Sequence, residues 1–229
     1  MTIKLFELSG SDPERRFSPY CWAIRMALAH KGLDVQTIPW RFMDRDVLAP
    51  SGQTKVPVLV HGDKWLSESW DIANYLEQTF PDRPTLFGGP QGTALSKFYC
   101  NFAVVMASQA IRMILVDIYD HLTETDKPYF RESREQRFGM SLEQVVADRE
   151  SKLQPFRDGL MPLRMTLKQQ EFFGGDQPLY ADYALFGVFQ WARCISPFEL
   201  LAADDPVALW RTRLLNAFNG LAQSAPGYD

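Results

Sequence analysis

Residues 18–21 read Ser18-Pro19-Tyr20-Cys21, and the apolar positions from there on, Tyr20, Ala23, Ile24, Ala27 and Leu28, fall on one helical face. Ser18 suits the N-cap, Pro19 the first turn, His30 and Lys31 the negative end, and Gly32 the stop. Two cysteines at this spacing would form a redox pair. Here a hydroxyl stands where the attacking sulfur would be.

Working outward, Ile3, Leu5 and Leu8 predict a strand over 3–8, followed by a polar loop. After the helix come a short strand at Val35–Ile38, a brief helical turn at Asp44–Ala49, and a strand at Val56–Val60 with Pro57 at its start. A turn at His61–Lys64 leads into a hairpin partner at Trp65-Leu66. A second helix starts near Ser69, with Ile72, Tyr75, Leu76 and Phe80 on one face and Pro81 ending it. Residues 1–80 therefore read as one unit of mixed strands and helices. Residues 81–92 hold three prolines and three glycines without apolar periodicity, which suits a linker. From 93 to 229 the chain reads as all helical, with helical spacing at 93–119, 128–161, 182–195 and 205–219; Pro155 is expected to bend or divide the second of these.

Bulk composition narrows the function. With 229 residues, 46% of them apolar and 13% aromatic, the chain can fill a sizeable core. A net charge of -4 and scattered Lys and Arg offer no field for a nucleic acid, so small molecules or proteins are the expected partners. The first residues lack a basic segment leading into an apolar run, and no stretch nears 18 uninterrupted apolar residues; the reading is a soluble, cytoplasmic protein with no membrane partner. Cys21, Cys100 and Cys194 are too few and too dispersed for a disulfide framework, and reduced thiols are the simpler reading. His30, His61 and His121 stand apart from other ligand types, so no metal is expected.

Three segments can carry chemistry, and each also has a plain structural reading. A helix amino terminus stabilises an anion, and a serine hydroxyl there can donate to a thiolate brought by a ligand, lowering its pKa. Ser18 would then make an external sulfur nucleophilic, although Ser-Pro is also an ordinary cap and first turn. Cys21 reads as packing. In Lys55-Val56-Pro57, a cis bond before Pro57 would turn the Val56 backbone outward beside Ser18, where a peptide can pair with it; an edge-strand start is the plain alternative. At Glu68-Ser69, the hydroxyl and nearby N–H groups can take a carboxylate while Glu68 accepts an ammonium. An acidic first turn would look the same.

Together these three elements resemble the cytosolic glutathione transferase superfamily. The resemblance covers essentially the whole chain and implies an α+β fold: a thioredoxin-like N-terminal domain with a mixed four-stranded sheet, then an all-α C-terminal domain. It implies glutathione as co-substrate, with Ser18 activating the sulfur, Lys55, Val56 and Pro57 at the cysteinyl backbone, and Glu68 and Ser69 holding the γ-glutamyl end. It also implies a homodimer. Ser18-Pro-Tyr-Cys-Trp22, Ala29-His-Lys-Gly32, Ser69-Trp-Asp-Ile-Ala-Asn-Tyr-Leu76, Pro81-Asp-Arg-Pro-Thr-Leu-Phe87 and Phe173-Gly-Gly-Asp-Gln-Pro-Leu-Tyr-Ala-Asp-Tyr183 are closest in look to bacterial glutathione-dependent beta-etherases of the LigE type and related fungal etherase-like transferases. That likeness implies thiolate attack beside the ketone of a beta-aryl ether, with release of a phenol. Two positions depart from the pattern. Leu179 lacks the capping oxygen usual before the Ala181-Asp182 segment, worth about 1 kcal/mol unless Asp176 or another group substitutes. Ala23 stands where the etherases carry a basic residue.

The small apolar or aromatic electrophile is expected between the domains, among Phe17, Tyr20, Trp40, Phe42, Tyr99, Phe102 and Met106. Two other functions compete. A thiol-disulfide oxidoreductase lacks a sulfur at position 18, and a non-catalytic glutathione-binding or interaction module would have no need of all three segments.

Overall fold

In the computed structural model, which describes residues 2–228, the alternation near the amino terminus forms β1 (Ile3–Leu8). Residues 1 and 229, the outer limits of the two expected domains, lie outside the described residues. Strand β1 pairs in parallel with β2 (Val35–Trp40) and antiparallel with β3 (Val58–His61), which pairs antiparallel with β4 (Lys64–Ser67). The sheet order is β2-β1-β3-β4. Pro39 lies on β2, an edge strand, where a missing N–H is tolerated. Strand β3 starts two residues later than expected, because Pro57 has no N–H for the ladder; the Val56–Pro57 bond is cis. Helices α1 (Pro19–His30) and α2 (Ser69–Thr79) flank the sheet, and a 3-10 turn spans Arg45–Ser51.

Lys31 does more than favour the negative end of α1. It is buried, its Nζ lies 2.8 Å from Glu77 Oε2, and it donates to the carbonyls of Phe80 and Pro84. One ammonium thus ties the end of α1 to the segment leaving α2.

The remainder is helical: α3 (Pro90–Asp120), α4 (Asp126–Phe138), α5 (Leu142–Val146), α6 (Arg149–Gly159), α7 (Met161–Leu167), α8 (Tyr180–Ile195) and α9 (Pro206–Gly220), the last broken at Ala217, Phe218 and Asn219. The single span expected over 128–161 is divided, but not by Pro155, which lies inside α6. The break comes at Gly139, left-handed at φ 70°, where Ser141 then caps α5, and again at Asp148 before α6. Helix α3 is the one helix among the described residues long and apolar enough, by length and composition, to cross a membrane. Here Met106, Ala110, Met113 and Ile114 bury one side of it, while Leu95 and Phe98 are exposed.

Helix α8 is the axis of the core, with every residue but Ala184 buried. Its start lacks a side-chain cap at Leu179, as the sequence suggests, and Asp182 rather than Asp176 supplies the substitute. The Asp182 carboxylate accepts from the backbone N–H of Phe173, Gly174 and Leu179 and from Trp210 Nε1, at 2.8–3.0 Å. Burial pushes its pKa up, and these four donors pull it back.

Helix α8 packs against both α1 and α3. Gly187 permits this: a Cβ there would meet the Pro19 carbonyl oxygen at 2.1 Å. In an open helix Gly→Ala is stabilising. Gly187→Ala is instead expected to lower stability by about 1–3 kcal/mol, because the colliding atom is backbone; a higher urea midpoint for the variant would contradict this packing.

Candidate active site

Two adjoining cavities, of about 320 and 350 Å³, lie where α1 and α2 begin. Pro19, Tyr20, Lys55, Val56 and Val104 line both. Ser18 faces the first; Pro57, Glu68 and Ser69 face the second. The three segments singled out in the sequence thus meet in one cleft.

Ser18 is the N-cap of α1, with its Oγ accepting from the Cys21 N–H at 3.2 Å. A hydroxyl that accepts through one lone pair keeps its own hydrogen to donate. Cys21 offers no competing nucleophile: its side chain is fully buried, and desolvation followed by the charge of Glu7 pushes its thiol up to about 12. All three cysteines are free.

Glu68 is a non-glycine residue at φ 65°, a conformation that costs free energy and concentrates at functional sites. It is exposed to the second cavity, one residue before α2. Ser69 is therefore the first helical residue, not the cap, and its N–H belongs to the unpaired set at the helix start. Its carbonyl accepts from the Tyr180 hydroxyl at 2.8 Å, which seats α2 on α8.

Four of the seven aromatic and apolar candidates, Phe17, Tyr20, Trp40 and Phe42, line the first cavity. Tyr99, Phe102 and Met106 line neither. Helical geometry is the reason: α3 turns Val104, Ala107, Ser108 and Ile111 to the first cavity and Met106 into the core. Tyr99 packs on Phe173, and Phe102 stacks on Phe98. The sequence reading missed α4 and α8, which contribute Tyr129, Phe130, Arg134, Arg137 and Trp191. Phe130, Arg134 and Arg137 recur at helical spacing, a signal present in the sequence but silent about which cavity it faces. Among the described residues, no group of three or more His, Cys, Asp or Glu is placed to hold a metal.

Behind the first turn of α1, Glu7 is fully buried, with its Oε2 3.5 Å from Arg25 Nη1 and 3.7 Å from Arg16 Nε. Neither Glu7 oxygen has a hydrogen-bond partner among the described residues. Burial raises Glu7 to about 7 against the pull of the two guanidinium groups, and burial likewise lowers Arg16.

Comparison with known proteins places this architecture. Residues 13–84 match the family profile described as "Glutathione S-transferase, N-terminal domain", and residues 94–206 match "Glutathione S-transferase, C-terminal domain". Glutathione S-transferase U2 of Arabidopsis thaliana is 36% identical over 93 residues, 37% of this chain; the match spans only 39% of that relative's own length. A crystal structure of a Ceriporiopsis subvermispora glutathione S-transferase in complex with glutathione superposes with a TM-score of 0.84 at 24% identity, covering 99% of each chain. Glutathione transferase GSTFuA2 from Phanerochaete chrysosporium superposes with a TM-score of 0.75 at 25% identity, over 97% of this chain and 95% of that one.

The buried carboxylate gives the region a measurable pH signature. A carboxyl raised in the folded state binds a proton there that the unfolded chain has released, so its favourable contribution is full below about pH 4.5 and is lost as pH rises through about 7. Relative to Glu7→Gln, the protein is expected to lose up to about 3 kcal/mol over that window. Urea unfolding of both proteins at several pH values measures the difference, and parallel profiles would show that Glu7 is ionised throughout.

Proposed function

Because this chain belongs to the glutathione S-transferase family, we propose that it is a serine-type glutathione transferase in which Ser18 holds the glutathione thiolate for attack on an aromatic or apolar electrophile. The observation that carries the reading is the meeting of Ser18, Val56, Glu68 and Ser69 at one cleft beside a largely apolar cavity.

The tripeptide's cysteinyl backbone pairs with Val56, flanked by Lys55 and Pro57, and its γ-glutamyl zwitterion lies between Glu68 and the start of α2. Glutathione-bound solved relatives of the same fold support the tripeptide as ligand. Its sulfur then sits at the amino terminus of α1, where the helix dipole and the Ser18 hydroxyl both favour the anion. The electrophile occupies the first cavity against Phe17, Tyr20, Trp40 and Phe42. Its sharpest candidate is a beta-aryl ether ketone: the thiolate bonds to the carbon beside the carbonyl, the aryl ether bond breaks, and the phenolate leaves with the electron pair. A homodimer is the assembly expected of the family, and Leu95 and Phe98, exposed on α3, are among the apolar residues available to a second copy.

The burial of Cys21 weighs against thiol-disulfide exchange, since a sealed thiol held up to about 12 supplies almost no thiolate.

Ser18→Ala is expected to raise the pH at which the bound sulfur ionises and to lower kcat by about 10²- to 10³-fold, as for loss of a donor to a developing anion, while glutathione still binds. Ultraviolet titration of the bound thiolate checks this; an unmoved ionisation profile removes Ser18 from the mechanism. Incubation with glutathione and a panel of aryl ether ketones, aryl halides and quinones, followed by mass detection, is expected to yield both the thioether and the free phenol. Conjugates without phenol would leave the transferase reading standing and end the etherase one.

A further inference from the structure

The first cavity is apolar but its charge is one-sided. Lys55, Arg134 and Arg137 line it, and among the described residues no Asp or Glu does. Arg131, on the same helix, is held by Glu135 at 2.9 Å and Glu143 at 2.8 Å, whereas Arg134 and Arg137 form no ion pair among the described residues.

Arg134 is the telling residue. Its guanidinium lies over Phe130 at 4.7 Å and Phe42 at 5.5 Å, within cation–π range of two rings that line the cavity. Its Nη1 donates to Ser133 Oγ, while its Nε is buried without a partner. A half-buried cation with a buried donor unused gains from an anion that completes it. Burial lowers the Arg134 pKa, and the Tyr129 side chain beside it offsets part of that shift. Arg137 lies one helical turn on, exposed at the mouth of the cavity, and its charge is felt at the Tyr20 hydroxyl.

We propose that the acceptor is an aromatic molecule bearing an anionic group, a carboxylate or sulfonate, which Arg134 receives inside the cavity while Arg137 attracts it at the mouth. This deepens the transferase reading and rests on it for the word acceptor. The geometry needs only the cavity: the aromatic body packs on Phe42 and Trp40, and the anion meets the Arg134 fork.

The test uses a matched pair of probes, naphthalene-1-sulfonate and naphthalene-1-sulfonamide, titrated calorimetrically into the full chain. The sulfonate is expected to bind about tenfold or more tightly than the sulfonamide, the scale of one charge-assisted hydrogen bond, and added KCl to weaken only the sulfonate. Arg134→Gln is expected to bring the two within about twofold, chiefly by weakening the sulfonate, with Arg134→Lys retaining part of the preference. Equal affinities in the parent protein, or a preference that survives Arg134→Gln, would overturn the proposal. Should that variant not fold, the parent's probe ratio and its salt dependence decide. Saturating glutathione is expected to leave the preference intact; its loss would mean that the tripeptide's own carboxylates use these cations, and the proposal falls. Glutathione affinity, measured separately, bears on the transferase reading, and its absence would leave the anion preference to stand or fall on the probes.

Discussion

The contact on which the arrangement depends is that of Pro19 against Gly187. Helix α1 starts with its carbonyl pressed where a side chain on α8 would be, so the first turn of α1 and the buried axis of the helical half cannot slide apart. Helix α8 fixes the second helix of the cleft as well, through the Tyr180 hydroxyl on the Ser69 carbonyl. His30 at the far end of α1 meets Tyr183, again from α8, at 2.7 Å. Two helix amino termini, each an anion-favouring end, are thus held in register by one buried helix. Their separation follows from packing, not from the loops that precede them.

Such an axis needs a secure beginning, and Asp182 provides it. A carboxylate inside a protein is costly by itself, yet here it gathers the donors of two loop residues, the start of α8 and the indole of α9's Trp210. The ordinary cap oxygen at Leu179 is dispensable, because the Tyr180 and Asp182 N–H groups find the carbonyls of Leu86 and Leu179, while the acid three positions on reaches back to the N–H of Leu179 itself, the other half of a capping box. The chain trades a local cap for a hub that also binds the last helices together.

The sheet, the first two helices and the helical character of the second half were legible because period and punctuation agree there. Ser18, Pro19 and Gly32 frame α1, and Gly62-Asp63 joins two strands. Pro155 misled, since a proline can sit within a helix whose flanks are otherwise well held, while Gly139 made the break through its left-handed backbone. In the cleft, residues next to a local signal were readable and those delivered by tertiary packing were not. Ser18, Val56, Glu68 and Ser69 each belong to a turn or helix start. Arg134 and Trp191 reach the cavity only because α4 and α8 fold over it, and on a helix such as α3 a shift of one position moves a side chain about 100°. Met106 and Ala107 illustrate this, one in the core and its neighbour on the cavity.

Serine at position 18 and cysteine at 21 occupy one helical turn but differ in what reaches them. Cys21 is sealed against Phe6 and beside the charge of Glu7, so its proton is held and its sulfur is packing. Ser18 lines the cavity, and the use of its oxygen as a cap does not compete with the role proposed for it. The Cys21 N–H engages a lone pair, which fixes the side-chain rotamer and draws electron density from the oxygen, and a hydroxyl that accepts in this way donates more strongly. Replacing Ser18 by cysteine would change both halves of that arrangement: a larger, weakly accepting sulfur caps poorly, and a thiol at a helix amino terminus ionises itself. In the role proposed for it, the alcohol leaves the negative charge on the sulfur that the ligand brings, and the fold's contribution is to hold that alcohol, already polarised, in the lining of an apolar cavity.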